Sequence, residues 1–297
     1  HIPQPLVKTS ALHNPCVPEQ GWPAERRSFT RKQLDEISAI KQRHARSCLI
    51  PSASLRVNPK QSSCHDLLLK ETLPGLVSIL IPFRDRVELT KICVQSLQAN
   101  ASDSVPFEII LIDNGSEEDC TKTWIQEITQ SNNIHCLRID EPFNFSRLNN
   151  LARKACNGEH LLFLNNDIEF ISPNILNQLL DPFAHPGTAA VGARLLYPDR
   201  SIQHQGVVII KGERRCVLEP GKHLHQPEVI DSLIPLNVQE EFSAASAACL
   251  LMKADQFDAI GGFNEELAVV FNDVDLCLRL REAGGHIVVT PHPTIIH

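Results

Sequence analysis

From about residue 76 onward, the chain alternates short apolar segments with amphipathic ones. The apolar segments include 76–81 (LVSILI), 107–113 (FEIILID) and 160–166 (HLLFLNN), and polar or turn-forming residues follow each of them. Short segments that are apolar at nearly every position are typical of parallel strands whose sheet is covered by helices on both faces. The alternation therefore predicts an α/β fold with a mostly parallel central sheet flanked by helices.

The same patterns locate the individual elements. Predicted strands cover 76–81, 107–113, 134–139, 160–166, 188–197, 203–210 and 286–291, and a small-residue strand leads into a short helix within 242–263. Predicted helices cover 86–100, 121–130, 145–158, 174–183 and 272–285. Residues 211–229 contain several prolines and glycines, which predict a mobile loop. This loop is a candidate lid or acceptor-binding segment. Its His223 and His225 are interpreted more simply as solvated loop residues.

Residues 1–74 do not show this alternation of apolar and amphipathic segments. Prolines recur there, and the one long helical pattern covers about 30–46. We interpret 1–74 as an N-terminal linker or accessory segment and 75–297 as the folded domain. The sequence starts at His1 without Met and stops at His297, so we expect a fragment of a longer protein with other domains.

Composition narrows the function classes. A net charge of −7 gives no reason to expect nucleic acid as a partner. No apolar run approaches the roughly 18 residues of a membrane span, so none is predicted. The ten cysteines include no C-x-x-C pair, which argues against a zinc cage and favours a reducing, cytoplasmic compartment.

One predicted strand ends in an unusual polar run. Asn165, Asn166 and Asp167 follow the apolar segment LLFL. A carboxylate at a strand end can coordinate a hard divalent cation, and that cation can hold a diphosphate. Taken alone, however, the run is better explained as a turn, since Asn and Asp favour turns through local hydrogen bonds.

A second candidate lies at the start of the predicted helix 272–285. Asn272 suits a helix N-cap and Asp275 could complete a capping box, whereas Asp273 has no such structural explanation. The positive end of the helix dipole would keep Asp273 ionised, as a general base requires. Taken alone, an acid that merely decorates a helix N-terminus is the simpler interpretation.

Other candidates also lie at strand ends. Asp113 precedes an Asn-Gly turn and could accept hydrogen bonds from a base or ribose, although an ordinary turn explains it too. Arg84 or Arg86 could bind phosphate or could be surface charge. His297 follows two β-branched residues, and a lone histidine is more often structural than a ligand.

Together and in this order, the segments resemble the bacterial family 2 glycosyltransferases of the GT-A fold. VSILIPFRD resembles that family's opening strand and nucleotide loop, and EIILIDNGS its base-binding strand. FNFSRLNNLA followed by GEHLLFLNNDIE resembles its middle segment and metal motif. ACLLMKADQFDAIGGFNEEL followed by FNDVDLCLRLREAG resembles its acceptor-side segment and catalytic helix. The resemblance covers roughly 74–297 and is nearest to the rhamnosyl- and galactofuranosyl-transferase-like branch.

The resemblance implies a nucleotide-binding set. Asp113 would bind the nucleobase, and the other members of the set would line or approach the nucleotide. These members are Pro82, Phe83, Arg84, Arg147, Asn150, Asn165 and Asn166.

The resemblance also implies the metal and catalytic residues. Asp167 would be the principal ligand of Mn²⁺ or Mg²⁺, His297 would complete the metal site, and Asp273 would be the catalytic base. Many relatives have an Asp-x-Asp motif, but here Asn165 fills its first position, which puts coordination by two carboxylates in doubt.

The implied activity is inverting sugar transfer from a nucleotide diphosphate sugar, a UDP- or dTDP-sugar, to a saccharide or lipid-linked saccharide. It would serve O-antigen or other surface polysaccharide synthesis in the cytoplasm, with peripheral association at the inner face of the membrane. Two alternatives stay open. A sugar nucleotidyltransferase would normally have a glycine-rich basic loop, which IPFRDR lacks. A non-catalytic nucleotide-sugar or polysaccharide binding module would not need an acid at Asp273.

Overall fold

The computed structural model describes residues 72–101, 104–210, 216–219 and 239–297. The N-terminal segment up to residue 71, with the predicted helix at 30–46, lies outside the described residues, as does most of the loop predicted at 211–229. Among the helices that are described, none has the length and apolar character needed to cross a membrane.

The described chain alternates strands and helices in its first half. The elements are β1 (Leu73–Phe83), α1 (Val87–Asn100), β2 (Phe107–Asp113), α2 (Asp119–Ile128), β3 (Ile134–Arg138), α3 (Phe145–Arg153), β4 (Gly158–Leu164), β5 (Glu169–Phe170) and α4 (Ile175–Leu180), which continues as a 3₁₀ turn over Asp181–Ala184. This order agrees with the predicted alternation.

The second half is richer in strands. Its elements are β6 (Thr188–Leu196), β7 (Ile202–His204), β8 (Val208–Ile210), β9 (Cys216–Leu218), β10 (Glu240–Phe242), β11 (Cys249–Lys253), α5 (Ala254–Ala259), α6 (Asn272–Glu282) and β12 (His286–Ile296). The strand predicted at 203–210 is two short strands, because Gly206 turns the chain between them at a φ of 92°. Part of the predicted loop is also a strand, since β9 pairs with β8 in a hairpin.

Ten of the strands form one sheet. Eight follow the order β10-β12-β6-β11-β4-β1-β2-β3, while β5 pairs with β12 and β7 with β6. The strands β1, β2, β3 and β4 pair in parallel, and so do β6 and β12. The strand β11 runs antiparallel between β4 and β6. All six long strands predicted as parallel therefore point the same way, and the complete sheet is mixed.

Apolar side chains fill both faces of the sheet. Along β1, Ile79 and Ile81 belong to a core cluster with Leu97 of α1, whereas Leu80 lies in a second cluster with Leu276 of α6. Successive strand residues point to opposite faces, so a strand that is covered on both sides must be apolar at consecutive positions. This burial accounts for the continuous apolar segments in the sequence.

Candidate active site

The direction of the strands brings the candidate residues to one edge of the sheet. The carboxyl ends of β1, β2, β4 and β12 lie there, and the antiparallel β11 begins there. Ligands of open α/β sheets bind at this edge. The ends of these strands and the loops that follow them carry most of the candidate residues.

Asp167 and His297 meet at this edge although they are far apart in the chain. His297 Nε2 lies 3.2 Å from Asp167 Oδ1 and 3.2 Å from Asn165 Nδ2. The Asp167 side chain is 48 % exposed, so a ligand can reach it, and that of His297 is 17 % exposed. The contact with the His297 ring lowers the pKa of Asp167, which keeps the carboxylate ionised.

Gln203 holds the other side of the His297 ring. Its Oε1 lies 2.6 Å from His297 Nδ1, and its Nε2 donates to the His297 carbonyl oxygen at 3.1 Å. Nothing in the sequence marks this residue as functional, because a glutamine in the short strand β7 carries no motif. Only the pairing of β7 with β6 next to β12 brings it to the site.

Asp273 lies at the start of α6 and contacts the segment that leads into β11. Its Oδ2 accepts a hydrogen bond from the Ala247 N–H at 3.2 Å, and its Oδ1 accepts one from the Val274 N–H at 2.8 Å. The next residue, Ala248, accepts a hydrogen bond from the Asn165 N–H at 3.0 Å. The segment 247–248 therefore links Asp273 to the end of β4.

The environment of Asp273 differs from the expected one. Burial raises its pKa, and the hydrogen bonds from the Ala247 and Val274 N–H groups oppose this effect without cancelling it. The sequence pattern predicts instead that the helix dipole dominates and keeps the acid readily ionised. A raised pKa makes the carboxylate a stronger base, which suits proton abstraction.

The cap predicted for this helix was wrong. Asn272 is the first residue of α6 and does not cap it; Phe271 precedes the helix in the left-handed region, at a φ of 62°. Asp275 pairs with Arg279, one turn further along the helix, through a 2.7 Å contact, so it does not complete a capping box. Phe271 is 61 % exposed in this unfavourable backbone conformation.

The predicted nucleobase residue is buried and already has partners. Asp113 is 2 % exposed; its Oδ1 accepts from the Ser116 N–H at 2.8 Å and its Oδ2 from Arg138 at 2.8 Å. Each carboxylate oxygen can accept a further hydrogen bond. The role of Asp113 stays a prediction, and the half-exposed Arg138, which the sequence analysis missed, joins the same site.

The end of β1 and the loop after it offer their backbone and two exposed arginine side chains, Arg84 and Arg86. Pro82 and Phe83 are buried, and the Phe83 ring packs edge-on against Trp124 with ring centroids 6.3 Å apart. Their side chains therefore belong to the core. Arg84 is exposed and lies 3.5 Å from Glu117 in a loose ion pair that a phosphate could replace.

Three further predicted residues make contacts within the protein. Arg147 forms ion pairs with Glu141 and Glu265. The Asn150 amide donates to the Phe263 carbonyl at 2.9 Å and accepts from the Phe263 N–H at 2.9 Å, so it braces the 262–265 segment. The Asn166 amide donates to the Thr90 hydroxyl at 3.1 Å. Their nucleotide contacts stay predictions, and Asn150 has an evident structural role.

Comparison with known proteins identifies the family. The model of the family described as glycosyl transferase family 2 matches residues 78–254. The chain belongs to this family.

Relatives and a solved structure extend this result. The chain is 41 % identical over 224 residues to protein y4gI of Sinorhizobium fredii, covering 75 % of this chain and 24 % of that protein. It is 34 % identical over 221 residues to the O-antigen biosynthesis protein RfbC of Myxococcus xanthus, covering 74 % and 17 %. The match therefore spans about a quarter or less of these relatives' own length. The structure of GalNAc-T7 with UDP, GalNAc and Mn²⁺ superposes with a TM-score of 0.59 at 16 % identity, covering 75 % of this chain and 43 % of that one.

The structural likeness confirms the predicted GT-A fold for this family 2 domain, and the family match confirms the resemblance. The family match places the chain among the glycosyltransferases.

A divalent cation would find few protein ligands at this edge. Among the described residues, no group of three or more His, Cys, Asp or Glu side chains could hold a metal. The donors that fit a cation are two such side chains, Asp167 and His297, together with the amide of Asn165. The 3.2 Å between the Asp167 oxygen and the His297 nitrogen is close to the roughly 3 Å that separates adjacent ligand atoms around an octahedral cation. A substrate diphosphate and water would complete such a site.

Proposed function

We propose that this domain is an inverting, metal-dependent glycosyltransferase that transfers a sugar from a nucleotide diphosphate sugar to a saccharide acceptor. The observation that carries the proposal is the position of Asp273. It is a half-buried carboxylate with a raised pKa, hydrogen-bonded at the sheet edge to the segment that also contacts Asn165. An acid in that environment suits general-base chemistry.

In the proposed reaction, the Asp273 carboxylate accepts the proton of the acceptor hydroxyl. The acceptor oxygen attacks the anomeric carbon from the face opposite the diphosphate, so a new C–O bond forms as the bond to the diphosphate oxygen breaks. The electron pair of the broken bond leaves with the nucleotide diphosphate, and the configuration of the sugar is inverted. The Ala247 and Val274 N–H groups hold the Asp273 oxygens in place during this step.

Asp167 and His297 would hold Mn²⁺ or Mg²⁺, with Asn165 beside them. Such a cation stabilises the negative charge of the departing diphosphate as a Lewis acid. A mixed oxygen and imidazole donor set favours Mn²⁺. The presence of UDP and Mn²⁺ in the GalNAc-T7 complex supports this choice.

The donor is proposed to bind at the same edge of the sheet. Asp113, with Arg138, is proposed to contact the base of a UDP- or dTDP-sugar, and Arg84 its phosphates. The name of RfbC supports an acceptor from O-antigen or other surface polysaccharide synthesis, free or lipid-linked. We place the reaction in the cytoplasm, at the inner face of the membrane, in a longer protein with further domains.

The test compares two acids of the same helix. Asp273→Asn keeps the shape of the side chain but removes the base, and we expect kcat to fall about 10²–10⁴-fold. The dissociation constant of the donor should change little. Asp275→Asn removes a carboxylate two residues away that pairs with Arg279, and it should retain turnover.

Sugar transfer with purified full-length chain, and donor affinity by calorimetry, supply the two readouts. Wild-type turnover in the Asp273→Asn variant would contradict the base role. Donor binding without sugar transfer in the wild type would favour the binding-module alternative. An equal loss of donor affinity would also contradict it, because a residue that acts only on the acceptor hydroxyl should not bind the donor.

A further inference from the structure

Gln203 contacts His297 in two places. It is a half-buried residue of β7, and its amide nitrogen donates to the His297 carbonyl oxygen at 3.1 Å while its Oε1 lies 2.6 Å from His297 Nδ1. One amide group thus contacts both the backbone and the ring of the same residue. The contact is on the side of the ring opposite to Asp167 and Asn165, which approach Nε2.

The backbone contact determines what the ring contact must be. Because the amide nitrogen of Gln203 faces a carbonyl oxygen, its Oε1 is the atom turned toward Nδ1. An amide oxygen can only accept a hydrogen bond. Nδ1 of His297 must therefore carry a proton and donate it to Gln203. When the ring is neutral, the lone pair is then on Nε2.

In the protein without a cation, that tautomer places the Nε2 lone pair unfavourably close to the Asp167 carboxylate. The Asn165 amide can donate to the Nε2 lone pair at 3.2 Å, but the anionic Asp167 Oδ1 also lies 3.2 Å from Nε2. A lone pair facing a carboxylate is unfavourable unless a positive charge lies between them. A divalent cation satisfies both groups, as a proton on Nε2 would.

We propose that Gln203 is a positioning residue that holds His297 in the tautomer whose Nε2 can bind a divalent cation. This inference rests on the proposed function, because it takes His297 to be a metal ligand. It assigns a role to a residue that touches neither substrate nor metal. Outer hydrogen-bond partners of ligating histidines act in this way, and their loss typically weakens metal binding about 10–100-fold.

The first test reads the tautomer directly, in the full chain without metal. Imidazole ¹⁵N chemical shifts of His297 should report the Nδ1–H form in the wild type and in Gln239→Leu. The latter is a matched control, since the exposed Gln239 bonds to Asp181 at 3.4 Å and not to any residue of the site. In Gln203→Leu no acceptor faces Nδ1, while the Asp167 carboxylate still favours a proton on Nε2, so the Nε2–H form should appear. An unchanged tautomer in Gln203→Leu would overturn the proposal.

The second test measures Mn²⁺ affinity by calorimetry. Gln203→Leu should bind Mn²⁺ about 10–100-fold more weakly than the wild type. Gln203→Glu keeps an acceptor opposite Nδ1–H and should recover most of the affinity. Equal losses in both variants, each with unchanged thermal stability, would contradict the tautomer mechanism.

A His297→Ala reference separates this proposal from the proposed function. If His297→Ala weakens Mn²⁺ binding and Gln203→Leu does not, the role of Gln203 is wrong and the metal site stands. If His297→Ala leaves Mn²⁺ affinity unchanged, the metal site itself is wrong, and the role of Gln203 falls with it.

Discussion

At the scale of single residues, the site depends on carboxylates in contrasting environments. Asp167 is half-exposed, and its contact with His297 lowers its pKa. Asp273 is more enclosed, and burial raises its pKa. Two acids whose pKa values are moved in opposite directions suit different tasks, one as a permanently charged ligand and the other as a proton acceptor.

The raised pKa of Asp273 predicts a pH dependence. A protonated carboxyl cannot accept a proton, so kcat should fall as the pH is lowered through the folded-state pKa. Since that pKa lies above the ordinary 3.8, the fall should lie at a higher pH than for an unperturbed aspartic acid. Initial rates at saturating donor across a pH series measure it.

Acid unfolding is the control for this experiment. A group whose pKa is raised on folding binds its proton more tightly in the folded state, so Asp273 adds stability as the pH falls. Loss of turnover with an unchanged circular dichroism spectrum would therefore report the base itself. A profile that stays flat down to pH 3.8 would contradict the raised pKa.

At the scale of elements, contacts between α3 and the chain around α5 fix the segment that leads to Asp273. Arg153 at the end of α3 forms a bidentate ion pair with Asp258 of α5, with contacts of 3.0 and 2.7 Å. The two side chains are 2 % and 7 % exposed. At the other end of α3, the Phe145 N–H donates to the Ala268 carbonyl at 2.8 Å. These contacts hold the chain that leads from α5 to Asp273.

Breaking the buried pair should destabilise the whole domain. Asp258→Ala leaves the Arg153 guanidinium buried without its partner, and we expect a loss of about 3–5 kcal/mol in the free energy of unfolding. Denaturant titration measures the loss. The exposed pair between Lys91 and Glu88 provides the control, since Glu88→Ala should cost at most about 1 kcal/mol. Equal effects of the two substitutions would show that burial does not govern the strength of these pairs.

At the scale of the whole molecule, the site exists only where distant parts of the sheet meet. Asn165 and His297 are 132 positions apart in sequence, and β11, β6 and β12 must assemble beside β4 before their side chains are neighbours. A ligand that bridges these strands should therefore stabilise the folded domain against global unfolding.

Mn²⁺ with UDP should raise the thermal denaturation midpoint. At a ligand concentration a hundredfold above the dissociation constant, the expected stabilisation is about 2.7 kcal/mol. The Mn²⁺-dependent part should disappear on chelation with EDTA and in His297→Ala, and differential scanning fluorimetry measures both. A shift of the same size in His297→Ala would contradict metal binding by the imidazole.

The local sequence pattern was sufficient to predict the long strands and to select most of the polar residues at the candidate site. Continuous apolar segments predicted the six long parallel strands, because a strand covered on both faces must be apolar at consecutive positions. Polar residues at the ends of strands were selected as candidates, and Asn165, Asp167 and His297 lie together at one edge of the sheet. The motif order also indicated the family that the comparison confirmed.

The remaining features required the tertiary structure. The antiparallel insertion of β11, the pairing of Arg138 with Asp113 and the contact of Gln203 with His297 follow from strand order and register. These contacts join residues that are far apart in sequence, and local propensity carries no information about them. The sequence by itself determined which segments could be strands and which acids could serve the site. Packing of the whole sheet decided which side chains meet, because burial and hydrogen bonding are satisfied only when every strand has its neighbour.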